Sequence, residues 1–303
     1  MKRVLLTGAT GLIGRHCLPT LLAQGYEVHT VSTRAASTHP PGAHAHQADL
    51  LDPAQVAALL ASLQPSHLLH LAWYTQPRAY WTSLENIRWV QASLGLLQAF
   101  VAHGGQRVVM AGSCAEYDWS YGYCTEHITP LRPATLYGKA KHTLQLLEDA
   151  FADQVQISAA WGRLFFLYGP HEHPERLVAA VTRALLQGQL ARCSHGNQIR
   201  DFLYVQDAAD AFVALLASDV QGPVNIASGA PITLKQIIYS IADMLAQRSL
   251  VQLGALPNPA NEPPLLVANT DRLANEVGWH PAYDLERGLE QTVLWWKGTL
   301  SNA

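Results

Sequence analysis

The segment Thr7-Gly8-Ala9-Thr10-Gly11-Leu12-Ile13-Gly14 constrains this chain more than any other stretch of it. It follows the apolar run Val4-Leu5-Leu6 directly and leads into a helical pattern from Leu12 to Gln24 that stops at Gly25. A strand, a GxxGxxG turn and a helix in that order have a physical logic. Gly8 permits the tight turn, Gly11 lets the backbone approach a pyrophosphate, and Gly14 permits close helix packing. Unpaired N–H groups at the helix start then hold phosphate oxygens, with Thr10, Leu12 and Ile13 on the same turn. Pro19 falls inside the helix and is expected to bend it.

The first half continues in this alternating manner. Strands are expected at Glu27 to Val31, near Ala45 to Gln47, and at His67 to His70, Arg107 to Ala111 and Gln156 to Ala160. Helical patterns fill the gaps at Pro53 to Leu63, Leu84 to His103 and Tyr137 to Asp153. Continuously apolar strands separated by helices imply a parallel sheet covered on both faces, a doubly wound α/β fold. The second half is less regular. A loop from Pro170 to Glu175 precedes a helix from Arg176 to Gln187, a strand at Val224 to Ile226 and a helix from Leu234 to Ala246. Gly254 to Pro264, rich in Pro and Asn, reads as an extended connection. These parts suggest a dinucleotide-binding domain of residues 1–162 plus about 203–227, and a smaller discontinuous substrate lobe of 163–202 plus 228–303.

At 303 residues and 49% hydrophobic content the chain can bury a large core. Its net charge of −3 argues against a nucleic-acid or membrane-surface partner. Cys17, Cys114, Cys124 and Cys193 lack metal-ligand spacing and read as reduced thiols. The opening Met1-Lys2-Arg3-Val4-Leu5-Leu6 mimics a signal peptide, but the glycine turn cuts its apolar run short, so a cytoplasmic protein is expected. The histidine-containing tract from His39 to His46 lacks acidic or thiol partners at a helical spacing. It reads as a solvated loop, and no metal site is expected.

Tyr137-Gly138-Lys139-Ala140-Lys141 contains a YxxxK pair, and residues four apart share one helix face. An ammonium beside a phenol lowers its pKa from about 10, so Tyr137 could exchange a proton with a hydroxyl or ketone near neutrality. Gly112-Ser113-Cys114-Ala115-Glu116-Tyr117 follows the preceding strand and supplies a further hydroxyl, Ser113. A thiol is a weak donor, so Ser113 rather than Cys114 is the expected third member.

Taken in order, these segments resemble the extended short-chain dehydrogenase/reductase family, also called the NAD-dependent epimerase/dehydratase family, over nearly the whole chain. The resemblance rests on the glycine turn, on Asp49-Leu50, His70-Leu71-Ala72 and the YxxxK pair. It extends through Arg163-Leu164-Phe165-Phe166-Leu167-Tyr168-Gly169-Pro170, Arg200-Asp201-Phe202 with Tyr204-Val205 and Asp207, Asn225 to Gly229, and Gly278-Trp279-His280-Pro281. It implies a nicotinamide cofactor on Gly8, Thr10, Gly11, Leu12, Ile13 and Gly14. Asp49 and Leu50 would meet the adenine, and Leu71, Ala72, Trp73, Phe165, Tyr137 and Lys141 would lie along the rest. It implies Ser113, Tyr137 and Lys141 as the catalytic set.

The end of the second strand selects the cofactor, and Ser32-Thr33-Arg34 suits a 2′-phosphate better than two free ribose hydroxyls. NADP(H) is therefore expected over NAD. By the same resemblance Arg200 would bind the diphosphate of a nucleotide sugar, with Arg272 as a possible second cation. Trp73, Tyr74, Ser113, Cys114, Glu116 and Phe166 would border the sugar. Phe166 stands where the family has an Asn, which puts the usual sugar contact in doubt. Trp81 and Trp119 are expected to face the cleft, whereas Trp89, Trp295 and Trp296 read as core. The leading expectation is reduction of a 4-keto, 6-deoxy nucleotide sugar with NADPH by a homodimer. The alternatives are a 4-epimerase holding NAD, a dehydratase using Glu116, and a non-catalytic sensor of NADP.

Overall fold

A computed structural model of the chain describes residues 2–34, 42–257 and 262–301. In chain order the strands and helices begin β1 (Arg3–Thr7), α1 (Gly14–Ala23), β2 (Glu27–Ser32), β3 (His44–Gln47), α2 (Pro53–Leu63) and β4 (His67–His70). They continue with α3 (Glu85–Ala102), β5 (Arg107–Ser113), β6 (Tyr123–Cys124), α4 (Leu136–Val155), β7 (Ser158–Leu164) and β8 (Phe166–Tyr168). Then follow α5 (Leu177–Leu186), β9 (Ala191–Arg192), β10 (Ile199–Tyr204), α6 (Val205–Ala217) and β11 (Gly222–Ile226). The last are β12 (Pro231–Thr233), α7 (Leu234–Met244), β13 (Val251–Gln252), β14 (Leu265–Ala268) and α8 (Leu285–Ser301).

Seven strands form a parallel sheet in the order β11-β7-β5-β4-β1-β2-β3. The order reverses direction at β1, which gives the doubly wound α/β architecture and puts the glycine turn at the crevice where ligands bind in such sheets. One face of the sheet is covered by α1 and α6, whose Cys17, Leu18, Leu21, Ala208, Phe212 and Leu216 join one core. The other is covered by α2, α3 and α4, through residues such as Leu59, Leu60, Leu97, Phe100 and Leu144. Being covered twice, β4 and β5 are buried along their whole lengths.

A second sheet runs β12-β10-β14-β6, with β8 also paired to β10. One carboxylate ties it to the first sheet and another ties the connection before α8 to α6. Asp201 on β10 accepts hydrogen bonds from the Ser228 amide (2.8 Å), the Ser228 hydroxyl (2.6 Å) and the Gly229 amide (2.9 Å), just beyond β11. Asp207 at the start of α6 accepts from the amides of Ala282 and Tyr283, each at 3.0 Å. Asn225 of β11 donates to the Cys124 and Asn269 carbonyls and accepts from the Tyr117 hydroxyl at 2.8 Å. Buried polar groups with every bond made hold a unique arrangement, which is the role these motif residues play here.

Several sequence expectations need correction. The first helix starts at Gly14 rather than Leu12, with Pro19 inside it as expected. The strand expected from Gln156 starts at Ser158, because Gln156 caps α4 in a left-handed conformation (φ 58°). The strand expected near Ala45 to Gln47 is the edge strand β3, so the His44 to His46 end of the histidine tract is strand and not solvated loop, and His39 lies outside the described residues. Among the described residues no helix is long and apolar enough to cross a membrane.

Candidate active site

The glycine turn is fixed by contacts from several directions. Gly8 has φ +72°, and a Cβ there would meet the Leu71 and Ala72 backbone at 2.9 Å. A Cβ on Gly14 would strike the Gly8 carbonyl. Arg15 clamps the outside of the turn, donating to the Thr10 carbonyl at 2.6 Å and the Gly11 carbonyl at 3.1 Å.

Behind the turn, Thr7 Oγ1 accepts from the amides of Leu71 (3.1 Å) and Ala72 (3.2 Å), so its own proton goes to His70 Nδ1 at 2.7 Å. His70 Nε2 then donates to Ser93 Oγ at 2.8 Å. Burial pushes the His70 pKa down to about 3, so it is a neutral spacer locking the ends of β1 and β4.

This turn opens into a cavity of about 760 Å³. Its lining joins Gly8, Thr10, Gly11, Leu12, Ile13 and Gly14 to Leu71, Ala72 and Trp73 at the end of β4. Ser113, Cys114 and Tyr137 form the next part of the wall, and Phe165, Phe166 and Arg200 the far part. The backbone cradle, the room beyond it and the apolar shelf at β4 fit a dinucleotide.

Tyr137 lies in the first turn of α4, which starts where Thr135 Oγ1 caps the Gly138 amide at 3.1 Å. The ring is held edge-on by Tyr80 (4.9 Å between centroids) and Trp81 (5.7 Å). Its hydroxyl interacts with the Ser113 side chain, which favours the phenolate, but burial dominates and raises its pKa. Lys141 donates to the Ala111 carbonyl at 2.8 Å and lies 3.5 Å above the Trp73 ring. Burial pushes its pKa down to about 7. The expectation that Lys141 lowers the tyrosine pKa is therefore corrected: burial raises it, and the lysine is engaged by a carbonyl and an indole.

Glu116 is also corrected. It is fully buried, accepts from Arg163 Nε at 2.7 Å, from the Trp161 indole at 3.0 Å and from the Ser113 amide at 2.7 Å. An acid committed to three donors in this way positions Ser113 from below and does not line the cavity. Cys114 does line it, with a thiol whose pKa burial raises.

Other expected site residues lie off the cavity wall. Tyr74 is half-buried outside it. Arg272 pairs with Glu276 (2.8 Å) and borders a separate 370 Å³ pocket with Glu126 and His127. Ser32, Thr33, Arg34 and Asp49 lie beyond the cavity, at the ends of β2 and β3. Leu50 is packed in the core beside Val56. Several lining residues were missed, four of them with side chains of chemical weight. Trp89, read as core, contacts the cavity beside Trp73, and Tyr80, Arg176 and Glu262 line it too. Glu262 accepts from Arg200 at 3.0 Å. It sits in a Pro-rich connection with no motif to mark it, whereas the 81–89 aromatic cluster was a usable signal.

A doubly wound sheet with this turn and a Tyr-Ser-Lys constellation defines a nicotinamide-dependent enzyme of the extended short-chain dehydrogenase/reductase type. The chain belongs to the NAD dependent epimerase/dehydratase family, whose model matches residues 4–227. It is 26% identical to the UDP-glucose 4-epimerase of Mycolicibacterium smegmatis over 317 residues, covering 96% of this chain and 97% of that protein. It is 25% identical to the CDP-abequose synthase of Salmonella typhimurium over 306 residues, covering 96% and 97%. The solved structure of MoeE5 in complex with UDP-glucose and NAD superposes with a TM-score of 0.85 at 26% identity, covering 98% and 99%.

Proposed function

We propose that this enzyme transfers hydride between a nicotinamide dinucleotide and a ring carbon of a nucleoside diphosphate sugar, and that its net reaction is reduction of a 4-keto, 6-deoxy sugar with NADPH. The single observation supporting the site of chemistry is the meeting of Tyr137 and Ser113 on one cavity wall, between the glycine turn and Arg200. In this reading the cofactor, held by the turn from Gly8 to Gly14 and by Lys141, supplies or accepts hydride. Ser113 holds the carbonyl oxygen and Tyr137 delivers the proton to it. Lys141, with a pKa near 7, is suited to pass a proton on to the tyrosine side of the site. Arg200 at the far wall is the group for the diphosphate. Trp81, Trp119, Tyr80 and Phe166 give the sugar end an apolar wall that suits a methyl group better than a hydroxymethyl.

NADPH is favoured by Ser32, Thr33 and Arg34, whose side chains offer two hydroxyls and a guanidinium to a 2′-phosphate. A second reading, a 4-epimerase that retains NAD, is favoured by the similarity to a protein named as UDP-glucose 4-epimerase and to one solved with NAD. One experiment separates them. The purified enzyme is mixed with 4-keto and 4-hydroxy nucleotide sugars, with NADPH or NADH, and 340 nm absorbance and sugar products are followed. Stoichiometric NADPH consumption supports the reductase, with Arg34→Ala weakening NADPH selectively by about 1–3 kcal/mol. Sugar interconversion without net cofactor change, or equal losses for both cofactors in Arg34→Ala, overturns it.

The homodimer is proposed as well. Helices α3 and α4 pack side by side, and Leu84 before α3, Ile87 on it, and Leu146 and Leu147 on α4 are all exposed.

A further inference from the structure

The edge of the central sheet gathers ligating side chains that the proposed reaction does not use. Strand periodicity puts Glu27 and His29 on one face of β2. The parallel register opposes His29 to His44 and Val31 to His46, so both β3 histidines share that face. One ligand atom each from Glu27, His29 and His44 lies within 4.8 Å of the others. His29 is buried, Glu27 half-buried and His44 exposed, so the group is anchored on one side and open to solvent on the other.

We infer that Glu27, His29 and His44 form a binding site for a divalent transition-metal ion of the zinc class. Two imidazoles and a carboxylate suit zinc and its neighbours, not the all-oxygen preference of calcium or magnesium. Bonds of 2.0–2.1 Å set ligand atoms about 3.3 Å apart in a tetrahedron, a spacing that rotation of the exposed His44 reaches. The supporting contacts are already in place. His46 Nε2 lies 2.8 Å from His29 Nδ1, fixing the ring so that Nε2 points at Glu27, 2.9 Å away. A partner on the second nitrogen is the usual means of orienting a ligand histidine.

His44 stacks on His29 with centroids 4.8 Å apart, and among the described residues no hydrogen bond engages its ring. Arg3 Nε takes only Glu27 Oε1, at 3.1 Å, leaving Oε2 for an ion. The site would clip the edge strand β3 to β2, and so act on stability rather than on hydride transfer.

The test uses the full chain without an affinity tag, stripped with chelator and titrated with zinc sulfate by calorimetry, with thermal melts in parallel. One equivalent is expected, with a raised melting temperature. Glu27→Gln and His44→Gln should each weaken zinc binding at least tenfold and abolish the thermal shift. Circular dichroism checks that both variants fold, and as His44 is exposed its variant is the safer arm. Cobalt substitution should give the visible absorption of a nitrogen-oxygen site. Absence of binding at about 100 μM zinc overturns the inference. So does an affinity unchanged in both variants, which would place the ion elsewhere.

Discussion

Tyr137 is the residue on which the proposed chemistry turns. Tyr137→Phe keeps the ring that Tyr80 and Trp81 hold edge-on and removes only the hydroxyl. Cofactor affinity measured by fluorescence should be unchanged and single-turnover reduction should fall at least about a hundredfold, the scale for losing a positioned acid. Lys141→Ala should lower both, since it sits over Trp73 beside the cradle. Near-normal turnover in Tyr137→Phe would sink the assignment. A different residue contributes to the pH dependence of stability. Glu172 is buried, and desolvation pushes its pKa up to about 8 from an ordinary value of 4.5. The folded state therefore holds a proton that the unfolded chain releases, and stability falls as pH rises from about 4.5 to 8. Glu172→Gln should raise the melting temperature at pH 9, by an amount corresponding to up to a few kcal/mol, and change little at pH 4. No pH dependence of the variant's gain would refute this.

Among the elements, the first turn of α4 carries the clearest expectation. Thr135→Ala removes the cap on the Gly138 amide and should cost about 1 kcal/mol, read as a lowered urea midpoint with an unchanged slope. Turnover should fall with it, as Tyr137 lies in the uncapped turn. Elements with strong periodicity were legible beforehand: Pro53–Leu63 and His67–His70 match the expected bounds. The failures were local. The α1 start was set two residues too early, and the left-handed Gln156 delayed β7 by two residues, a conformation that Gln does not advertise. The short strands β8 and β10 could not be read because each is completed by pairing with a distant segment. The same holds for the β3 histidines, whose acidic neighbour lies across a strand and not along the chain.

For the whole molecule, the exposed Leu146 and Leu147 lead to a test of assembly. Light scattering at micromolar concentration should give twice the chain mass, and Leu146→Arg should shift it toward the monomer without altering circular dichroism. A monomeric wild type would count against the dimer. The doubly wound plan was legible from the order of motifs, since the glycine turn, Tyr137 of the YxxxK pair and Arg200 each fall where the sheet delivers them to one cavity. Part of the far wall was not, because Arg176 and Glu262 arrive from connections whose course only the assembled lobe determines.

The pairing of Arg200 with Glu262 has an electrostatic consequence. With its charge matched by Glu262, Arg200 itself adds little net field to draw in an anion from a distance, and that long-range pull is left to Arg176 on the same wall. Any anion that takes the guanidinium must first outcompete a tethered carboxylate whose effective concentration is high. A monoanion merely exchanges like for like, whereas a dianion gains from the second charge. At Arg200 itself, the internal acid thus weights the exchange toward ligands of higher valence, independently of their shape.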